Sequence, residues 1–377
     1  MQQVGIIGGN SLIGQHLISL IDAKRILVWN DKERVDIQSD NNNNNEINEN
    51  VTYVTGMKNL SSVFQNSKVV FNLFETCDFS LIPDDKKLNE INVNFVKTLV
   101  DLCKSVGDGT KLVHLSSVYL QCSTRWPNIY GREEINYDKF RAEVPFPAYC
   151  DSKHRAEQLL LNAADRVPNI CARVGAVYGE GDRRSLLCDA ILFSKYIRVL
   201  PKIGDESGTF QMTYAGNAAA ALLKCAEKLI DDDQIRHEVV LITDETPVKN
   251  IYDSILLPIN SDEGNISGCS SESFESKRVL FSNNYTSFYL FFPIFWILCL
   301  LAWCWAMLFN RNSIIAKLPS PYYPYLVMHQ WTFYSDFKLR IFFNHKPKFD
   351  FETSLARSRE YYQQLDASHI DGFSWLS

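Results

Sequence analysis

Short apolar runs rich in β-branched residues alternate with longer segments of helical periodicity over the first 200 residues. Strands that are buried on both faces of a parallel sheet are apolar throughout, and crossover helices join them. The alternation therefore predicts an α/β fold with a doubly wound parallel sheet of the Rossmann type. The predicted strands are residues 4–7, 26–29, 51–55, 69–73, 112–115 and 169–174.

Beyond residue 200 the pattern is less regular. It predicts a helix from Asn217, a strand over residues 239–242, a polar linker that runs to Asn284, and a helix near residues 351–365. We therefore expect a smaller C-terminal α+β domain that binds the substrate. The predicted division is a Rossmann domain with the catalytic residues (1–200), two parts of the smaller domain (201–287 and 310–377), and an apolar segment between them (288–309).

The segment Phe288–Phe309 has no charged residue. As a helix it would be about 33 Å long at about 1.5 Å per residue, and the hydrocarbon core of a bilayer is about 30 Å thick. Charges flank the segment evenly, so the positive-inside rule does not select an orientation. Three interpretations are open: a re-entrant or interfacial anchor, a spanning helix, and a buried core helix. Aromatic bulk on all sides argues against the last.

Charge and cysteine usage exclude two classes of partner. A formal net charge of −6 gives no indication of a nucleic-acid partner. The ten cysteines form no CxxC pair and have no zinc-ligand spacing to histidine, so we expect free thiols and no metal site. The first apolar strand begins at Val4, which leaves no room for a cleavable signal peptide. We therefore expect the catalytic domain to face the cytosol.

A glycine-rich turn follows the first predicted strand and precedes a helix. Gly8 can adopt turn dihedrals that other residues disfavour, and Gly14 allows the helix to pack closely on the strand. The start of this helix, at Ser11, Leu12 and Ile13, is an anion site suited to a pyrophosphate. The turn therefore predicts a dinucleotide site.

Two details of this site bear on the cofactor. Ser11 stands where a middle glycine is usual, and its hydroxyl is placed to donate to a phosphate oxygen. Asn30 and Asp31 follow the second strand, where a polar side chain hydrogen-bonds the adenosine ribose. A carboxylate there repels a 2′-phosphate, so the sequence favours NAD over NADP.

Tyr149 and Lys153 lie one helical turn apart on a helix predicted over residues 148–164. The strand that precedes this helix ends at Ser117, on the edge of the sheet where ligands of such folds bind. A second pair with the same spacing, Tyr334 and Lys338, has no such setting and is interpreted as structural.

These side chains suit the oxidation of a secondary alcohol, which needs a base for the hydroxyl proton. Tyr149 is the expected base, and the ammonium of Lys153 is expected to lower its pKa and to hold the cofactor ribose. Ser117 is expected to hydrogen-bond the substrate oxygen, with Ser116 as the neighbouring alternative. Asn92 is expected to anchor a water or a backbone relay, or else to lie on the surface.

In order along the chain, these features resemble the extended short-chain dehydrogenase/reductase superfamily. Its motifs are seen in the glycine turn, Ile91-Asn92-Val93, His114-Leu-Ser-Ser117, Tyr149-x-x-x-Lys153-x-x-Ala156-Glu157, and Arg173-Val-Gly-Ala-Val-Tyr178-Gly179-Glu-Gly181-Asp182. Three later motifs resemble the 3β-hydroxysteroid dehydrogenase/isomerase family: Tyr214-Ala-Gly-Asn217-Ala-Ala-Ala-Ala221, Ile242-Thr-Asp244-Glu245-Thr246-Pro247 and Trp331-Thr-Phe-Tyr-Ser-Asp336. An apolar segment between the last two is also similar to that family. Ser11, Val174 and Met57 depart from the family pattern near the cofactor.

The resemblance implies NAD-dependent oxidation of a 3β-hydroxyl on a steroid or sterol. It also implies a Δ5-to-Δ4 isomerisation in some members, for which Asp244 or Glu245 is the matching acid. It implies a homodimer, contact with membrane lipid, and the endoplasmic reticulum membrane, with a mitochondrial membrane as the alternative. The tail after the apolar segment is expected to pack on the catalytic domain, which favours the re-entrant or interfacial anchor.

Three other functions stay open. The first is a related dehydrogenase of the sterol-4-carboxylate decarboxylating type. The second is a nucleotide-sugar epimerase, which shares the core but has little use for an apolar segment. The third is a membrane-tethered binding protein that has lost its activity.

Overall fold

The computed structural model describes residues 2–31, 50–106, 109–125, 127–131, 133, 137–197, 199–204, 208–260, 280–309, 314–365, 374 and 376. Much of the predicted polar linker, including Cys269, lies outside them. The described strands are β1 (Gln3–Ile7), β2 (Arg25–Asn30), β3 (Val51–Thr55), β4 (Val69–Asn72), β5 (Lys111–Ser117), β6 (Asn128–Gly131), β7 (Asn169–Val174), β8 (Ala176–Tyr178), β9 (Val199–Ile203), β10 (Met212–Tyr214), β11 (His237–Ile242), β12 (Leu280–Thr286) and β13 (Thr332–Tyr334). The described helices are α1 (Leu12–Leu20), α2 (Leu60–Phe64), α3 (Asp85–Leu88), α4 (Phe95–Val106), α5 (Tyr137–Phe140), α6 (Pro147–Ala163), α7 (Leu186–Ile197), α8 (Ala215–Asp231), α9 (Leu257–Asn260), α10 (Phe288–Phe309), α11 (Tyr322–Met328), α12 (Phe337–Phe342) and α13 (Phe351–Gln364).

The central sheet has seven parallel strands in the order β11-β7-β5-β4-β1-β2-β3. Every residue of β4 and β7 is buried, including the polar Asn72, Asn169 and Arg173, as in strands that are covered on both faces. The order reverses between β1 and β4, which is the arrangement of a doubly wound Rossmann-type sheet and confirms the predicted fold class. The predicted strand over residues 239–242 is part of β11, so the sheet continues past the predicted domain boundary at residue 200.

Helices cover both faces of the sheet. Apolar side chains of α1 and α8 pack on one face, and those of α2, α4 and α6 pack on the other. In α8 the small residues Ala218, Ala219 and Ala221 are fully buried, which allows this helix to lie close to the strands. The helix predicted from Asn217 is confirmed and begins two residues earlier.

The smaller part of the molecule contains three two-stranded parallel sheets, β8 with β10, β9 with β12, and β6 with β13. Helix α13 confirms the helix predicted near residues 351–365. A hydrophobic cluster that includes Tyr149, Tyr178 and Phe210 joins this part to helix α6. The described cysteines are all free thiols, as predicted.

The apolar helix α10 coincides with the predicted segment. Of the described helices, it is the one that is long and apolar enough to cross a membrane. Most of its side chains are exposed, among them Leu290 at 71%, so the interpretation as a buried core helix is wrong. Phe288, Cys299 and Ala306 are its buried residues.

A segment that we name the return strap, residues 314–320, follows the apolar helix in the sequence and contacts residues 79–82. The Ala316 and Leu318 carbonyls accept hydrogen bonds of 3.1 and 2.8 Å from the backbone amides of Ile82 and Leu81. The Ser320 amide donates to the Phe79 carbonyl at 2.8 Å. The strap therefore fixes the tail against the segment that follows β4.

Candidate active site

A cavity of about 230 Å³ opens at the carboxyl edge of the sheet. Its lining includes Leu12 and Ile13 from the glycine turn, Ser117 from the end of β5, and Tyr149 from α6. The remaining lining residues are Glu75, Cys77, Phe79, Leu115, Ser116, Tyr119, Val174, Gly175, Ala176, Val177, Asp182, Arg184, Ser185, Leu186, Phe210, Tyr323 and Ser374. The cavity thus brings the predicted dinucleotide turn and catalytic residues together within walls that are mainly apolar.

Helix α6 positions Tyr149 and Lys153. Pro147 stands in its first turn, where a missing amide hydrogen costs nothing. Both side chains face inward with the buried face of the helix, and Tyr149 is 4% exposed. The Lys153 ammonium is 2.6 Å from Glu75 Oε2 and donates to the Leu115 carbonyl at 2.7 Å.

The surroundings of Tyr149 differ from the prediction. Its hydroxyl lies 3.5 Å from Glu75 Oε2. Burial, and then the negative charge of Glu75, raise the pKa of Tyr149 well above its usual value, while a hydrogen bond with Ser117 acts in the opposite direction. The expected lowering of this pKa by Lys153 is therefore not seen in this structure, because burial and then the charge of Glu75 raise the pKa of Tyr149.

The two serines at the end of β5 have separate roles. Ser116 donates to Glu157 Oε1 at 2.6 Å, and this carboxylate forms a buried two-point ion pair with Arg173. Ser117 accepts a hydrogen bond from the Tyr119 amide and keeps its hydroxyl at the cavity beside Tyr149. The structure therefore favours Ser117 over Ser116 as the group that would meet a substrate oxygen.

Asn92 is buried, so its interpretation as a surface residue is wrong. It lies in a π-helical turn, residues 89–94, between α3 and α4. Its carbonyl oxygen accepts from the Thr76 amide at 3.0 Å, and its amide donates to the Thr76 carbonyl and to the Ser152 hydroxyl, both at 2.9 Å. Asn92 therefore ties the segment after β4 to helix α6 through protein groups.

The glycine turn has the geometry that a dinucleotide site requires. Gly8 has φ +83°, and a Cβ atom added to Gly14 would lie 2.7 Å from the Gly8 carbonyl oxygen. Ser11 caps α1, accepting from the Gly14 amide at 3.1 Å while its hydroxyl donates to the Gly8 carbonyl at 2.8 Å. The hydroxyl hydrogen is thus used within the turn, which corrects the expectation that it donates to a phosphate.

At the end of β2, Asn30 is buried and exchanges two hydrogen bonds with Asn10, of 3.1 and 3.2 Å. The amide of Asn30 thus braces the glycine turn, and the side chain of Asp31, which follows β2, is exposed and is the polar group that would meet a ribose. A turn that leaves no room for a Cβ, a helix N-terminus and a strand-end carboxylate together fit a dinucleotide.

Asp244 and Glu245 lie away from the cavity. Asp244 Oδ2 accepts from the Tyr214 amide and from Asn217, both at 2.9 Å, and Oδ1 accepts from the Thr246 amide at 3.0 Å. Burial raises the pKa of Asp244, against these hydrogen bonds. Glu245 is exposed, and neither residue is among the described lining residues. The isomerase assignment stays a prediction, and the structure gives Asp244 a role in holding the start of α8.

The structure also shows where the second Tyr–Lys pair lies, and where two residues that depart from the family pattern lie. Tyr334 lies in β13, and Lys338 pairs with Glu238 at 2.6 Å, as expected of structural residues. Val174 lines the cavity, and Met57 is 57% exposed on the surface.

Sequence reasoning missed Glu75. A signal was present, because an acidic residue three positions past the buried strand β4 must lie at the ligand-binding edge of the sheet. Its partnership with Lys153 could not be inferred from the sequence, since the two residues are 78 positions apart.

The chain is similar in sequence to curated sterol dehydrogenases. Sterol-4-alpha-carboxylate 3-dehydrogenase ERG26, decarboxylating, of Saccharomyces cerevisiae is 31% identical over 165 residues, 42% of this chain and 45% of the yeast protein. The protein of the same name from Candida albicans is 27% identical over 205 residues, 52% of this chain and 55% of the relative. The matched region therefore spans about half the length of these curated relatives.

Solved structures share the fold. UDP-glucuronic acid 4-epimerase from Bacillus cereus, in complex with UDP-glucuronic acid and NAD, has a TM-score of 0.66 at 16% identity, covering 97% of this chain and 100% of that one. dTDP-glucose 4,6-dehydratase from Bacillus anthracis str. Ames, in complex with NAD, has a TM-score of 0.60 at 15% identity, covering 98% and 99%. At these identities the likeness shows the fold alone.

The model of one protein family, described as 3-beta hydroxysteroid dehydrogenase/isomerase, matches residues 5–269. This match contains the seven-stranded sheet except for the first two residues of β1, together with the glycine turn and the residues around Tyr149. The chain belongs to the 3-beta hydroxysteroid dehydrogenase/isomerase family.

Proposed function

We propose that this protein oxidises the 3β-hydroxyl of a steroid or sterol to the 3-ketone with NAD. The observation that carries the proposal is the placement of Tyr149 and Ser117 in one apolar cavity, beside a glycine turn that fits a dinucleotide. Phe79, Phe210 and Tyr323 give this cavity walls suited to a flat apolar substrate.

NAD, when bound, supplies the acceptor for the hydride that leaves the carbinol carbon. The chain would hold it at the N-terminus of α1, behind Gly8 and Gly14, with Asp31 at the ribose. Asp31 also disfavours a 2′-phosphate, which supports NAD over NADP.

Side chains of the protein bind the hydroxyl group of the substrate and accept its proton. Ser117 donates a hydrogen bond to the substrate oxygen, and Tyr149 receives its proton. The buried ammonium of Lys153, held by Leu115 and Glu75, has a third hydrogen to donate to the ribose.

A decarboxylating oxidation is the second candidate. The relatives in Saccharomyces cerevisiae and Candida albicans are named as sterol-4-alpha-carboxylate dehydrogenases. Oxidation of the 3-hydroxyl beside a 4-carboxylate gives a β-keto acid, which loses carbon dioxide readily. Arg184, an exposed cation in the cavity lining, is suited to meet that carboxylate.

The apolar helix supports attachment to one leaflet of a membrane. Its start is packed against α11, where the Phe288 ring stacks on His329 with centroids 4.5 Å apart. At its middle, the Cys299 thiol lies 4.0 Å from the Pro319 carbonyl of the return strap. The helix thus follows the surface of the domain, with its exposed side chains free to enter lipid.

The return strap argues against a full crossing. The Ala316 carbonyl accepts a hydrogen bond from Ile82, and the seven residue-to-residue steps from Phe309 to Ala316 reach at most about 25 Å. An extended chain could not recross a hydrocarbon core of about 30 Å with its backbone groups unpaired. We therefore propose an interfacial or re-entrant anchor in the endoplasmic reticulum membrane, with the catalytic part in the cytosol.

The anchor brings the cavity close to lipid, because the strap bonds to Phe79 and leads to Tyr323, which both line it. A C-terminal tag tests the topology in sealed microsomes. We expect protease to remove the tag from intact vesicles, whereas protection of the tag would contradict the one-leaflet anchor. The homodimer stays a prediction.

The substrate is tested with detergent-solubilised protein, NAD, and matched 3β-hydroxysterols with and without a 4α-carboxylate. NADH formation with both sterols supports the first proposal, and NADH with carbon dioxide from the carboxylated sterol alone supports the second. A conjugated enone in the product would reveal isomerisation. Failure to bind NAD would favour a binding protein without activity.

A further inference from the structure

A carboxylate lies between the two residues expected to carry the proton chemistry. Glu75 follows β4 and points its Oε2 atom at both the Lys153 ammonium, 2.6 Å away, and the Tyr149 hydroxyl, 3.5 Å away. The Glu75 side chain is 30% exposed, whereas that of Lys153 is 1% exposed. Glu75 is therefore the member of this trio that meets water at the cavity.

This ion pair reduces the effect of the Lys153 ammonium on the ionisation of Tyr149. An uncompensated ammonium close to a phenol favours the phenolate, but a carboxylate bonded to that ammonium removes most of the effect. Glu75 is also close enough to repel a phenolate directly. Tyr149 therefore stays protonated at neutral pH. It must give its own hydroxyl proton to an acceptor when it takes the proton of the substrate alcohol.

We propose that Glu75 is a further catalytic residue, which accepts the Tyr149 hydroxyl proton while Tyr149 accepts the proton of the substrate alcohol. The inference rests on the proposed oxidation. The distance of 3.5 Å must shorten in the complex with substrate, as catalytic hydrogen bonds often do.

The step is balanced. The substrate O–H bond breaks and its proton bonds to Tyr149 Oη, while the Tyr149 O–H bond breaks and its proton bonds to Glu75 Oε2. The carbinol C–H bond breaks, its electron pair leaves with the hydrogen as hydride to the nicotinamide dinucleotide, and the C=O bond forms. Glu75 then releases the proton to water at the cavity.

The other titratable groups around the trio do not offer this route. Burial, and then Lys153, hold the pKa of His114 well below its usual value, and its Nδ1 faces Asn72 at 2.9 Å. Burial raises the pKa of the Cys150 thiol well above its usual range. Cys77 is also near Tyr149, and its thiol donates toward the Ser374 carbonyl at 3.8 Å.

The cavity wall also includes the carboxyl group of Asp182 and the cation of Arg184, and a further carboxyl group, Asp189, bonds to the lining residue Ser374. Asp182 accepts hydrogen bonds from Tyr362 and from the backbone amides of Arg184 and Ser185, and burial raises its pKa. Asp189 accepts from Ser374. Arg184 itself is exposed. Glu75 is thus the carboxylate that contacts the Tyr149 hydroxyl.

The test compares Glu75→Gln and Glu75→Asp with Glu227→Gln, a matched change at a surface residue of α8. NAD binding is measured first, by quenching of tryptophan fluorescence. We expect Glu75→Gln to bind NAD within about threefold of wild type. Loss of binding would show that Glu75 holds the cofactor, and would overturn the proposal.

The absorbance of tyrosinate during a pH titration measures the electrostatic effect of Glu75 on Tyr149. This measurement does not depend on enzyme activity. Tyr149→Phe, in the wild-type and Glu75→Gln backgrounds, isolates the signal of Tyr149. Because the Gln variant leaves Lys153 uncompensated, we expect Tyr149 to ionise at lower pH than in wild type. Ionisation of Tyr149 at the same pH in both backgrounds would overturn the proposal.

Turnover completes the test. We expect Glu75→Gln to lower kcat by about 10²–10⁴-fold and to move the acid limb of its pH profile upward, with partial recovery in Glu75→Asp. Wild-type kcat and pH profile in Glu75→Gln, beside an inactive Tyr149→Phe, would overturn the role of Glu75 alone. An inactive wild-type protein would instead overturn the proposed oxidation.

Discussion

The Asn92 side-chain amide donates a hydrogen bond of 2.9 Å to the Ser152 hydroxyl, which in turn donates to the Tyr149 carbonyl at 2.7 Å. The same Asn92 holds both backbone groups of Thr76, next to Glu75. One buried amide therefore sets the distance between α6, which carries Tyr149, and the segment after β4.

Replacing Asn92 by alanine should disturb this geometry and leave buried groups without partners. We expect a loss of about 1–3 kcal/mol in the free energy of unfolding for each group left unpaired, and a lower kcat with little change in NAD affinity. Urea denaturation and NAD titration check this. A variant with wild-type kcat would contradict the positioning role.

Gly14→Ala should weaken NAD binding, because the new Cβ would meet the Gly8 carbonyl oxygen at 2.7 Å and displace the turn. We expect a loss of affinity of about tenfold or more, measured by fluorescence titration. Gly109→Ala is the control, since its positive φ adds strain in open space without touching the turn. Equal NAD affinity in both variants would argue against a dinucleotide at this turn.

Glu157→Gln should leave the buried guanidinium of Arg173 without its counter-charge. We expect a loss of about 3–5 kcal/mol in the free energy of unfolding, against less than about 1 kcal/mol for Glu227→Gln in an exposed pair. Similar losses in the two variants would contradict the structural importance of the buried pair.

The same pair should add an acid-sensitive contribution to stability. Burial alone would raise the pKa of Glu157, but the charge and hydrogen bonds of Arg173 outweigh burial and lower it. Because the folded-state pKa is the lower one, this contribution is present above the unfolded pKa of about 4.3 and is lost as the pH falls through the folded value. Denaturation of wild type and Glu157→Gln between neutral and acidic pH measures the difference.

Arg184→Gln should discriminate between the two candidate substrates. If Arg184 meets a 4-carboxylate, the variant should raise KM for the carboxylated sterol by about tenfold and leave KM for the uncarboxylated sterol nearly unchanged. Arg183→Gln serves as the neighbouring control. An equal change in KM for both sterols would exclude this recognition.

The local sequence pattern predicted the strands in which β-branched residues lie close together in the sequence. Strands β3 and β7 have the predicted bounds, because their β-branched residues favour strands, although β3, at the edge of the sheet, has no buried residue. The place of β11 in the same sheet was not predictable, since it depends on pairing with β7 across the whole of α8. The short strand β13 likewise exists through its pairing with the distant β6.

The candidate site shows the same division. The spacing within α6 predicted that Tyr149 and Lys153 face one side, and the end of β5 predicted Ser117. The approach of Glu75 to Lys153 and the bonds of Asn92 to Thr76 and Ser152 join separate elements, so no local pattern encodes them.

The most direct test of the proposed function follows NADH formation from a panel of 3β-hydroxysterols, with wild-type protein beside Tyr149→Phe in detergent. The account predicts turnover in the wild type, a loss of about 10²-fold or more in the variant, and NAD binding in both. Turnover that survives in Tyr149→Phe, or NAD binding without turnover of any 3β-hydroxysterol, would contradict it.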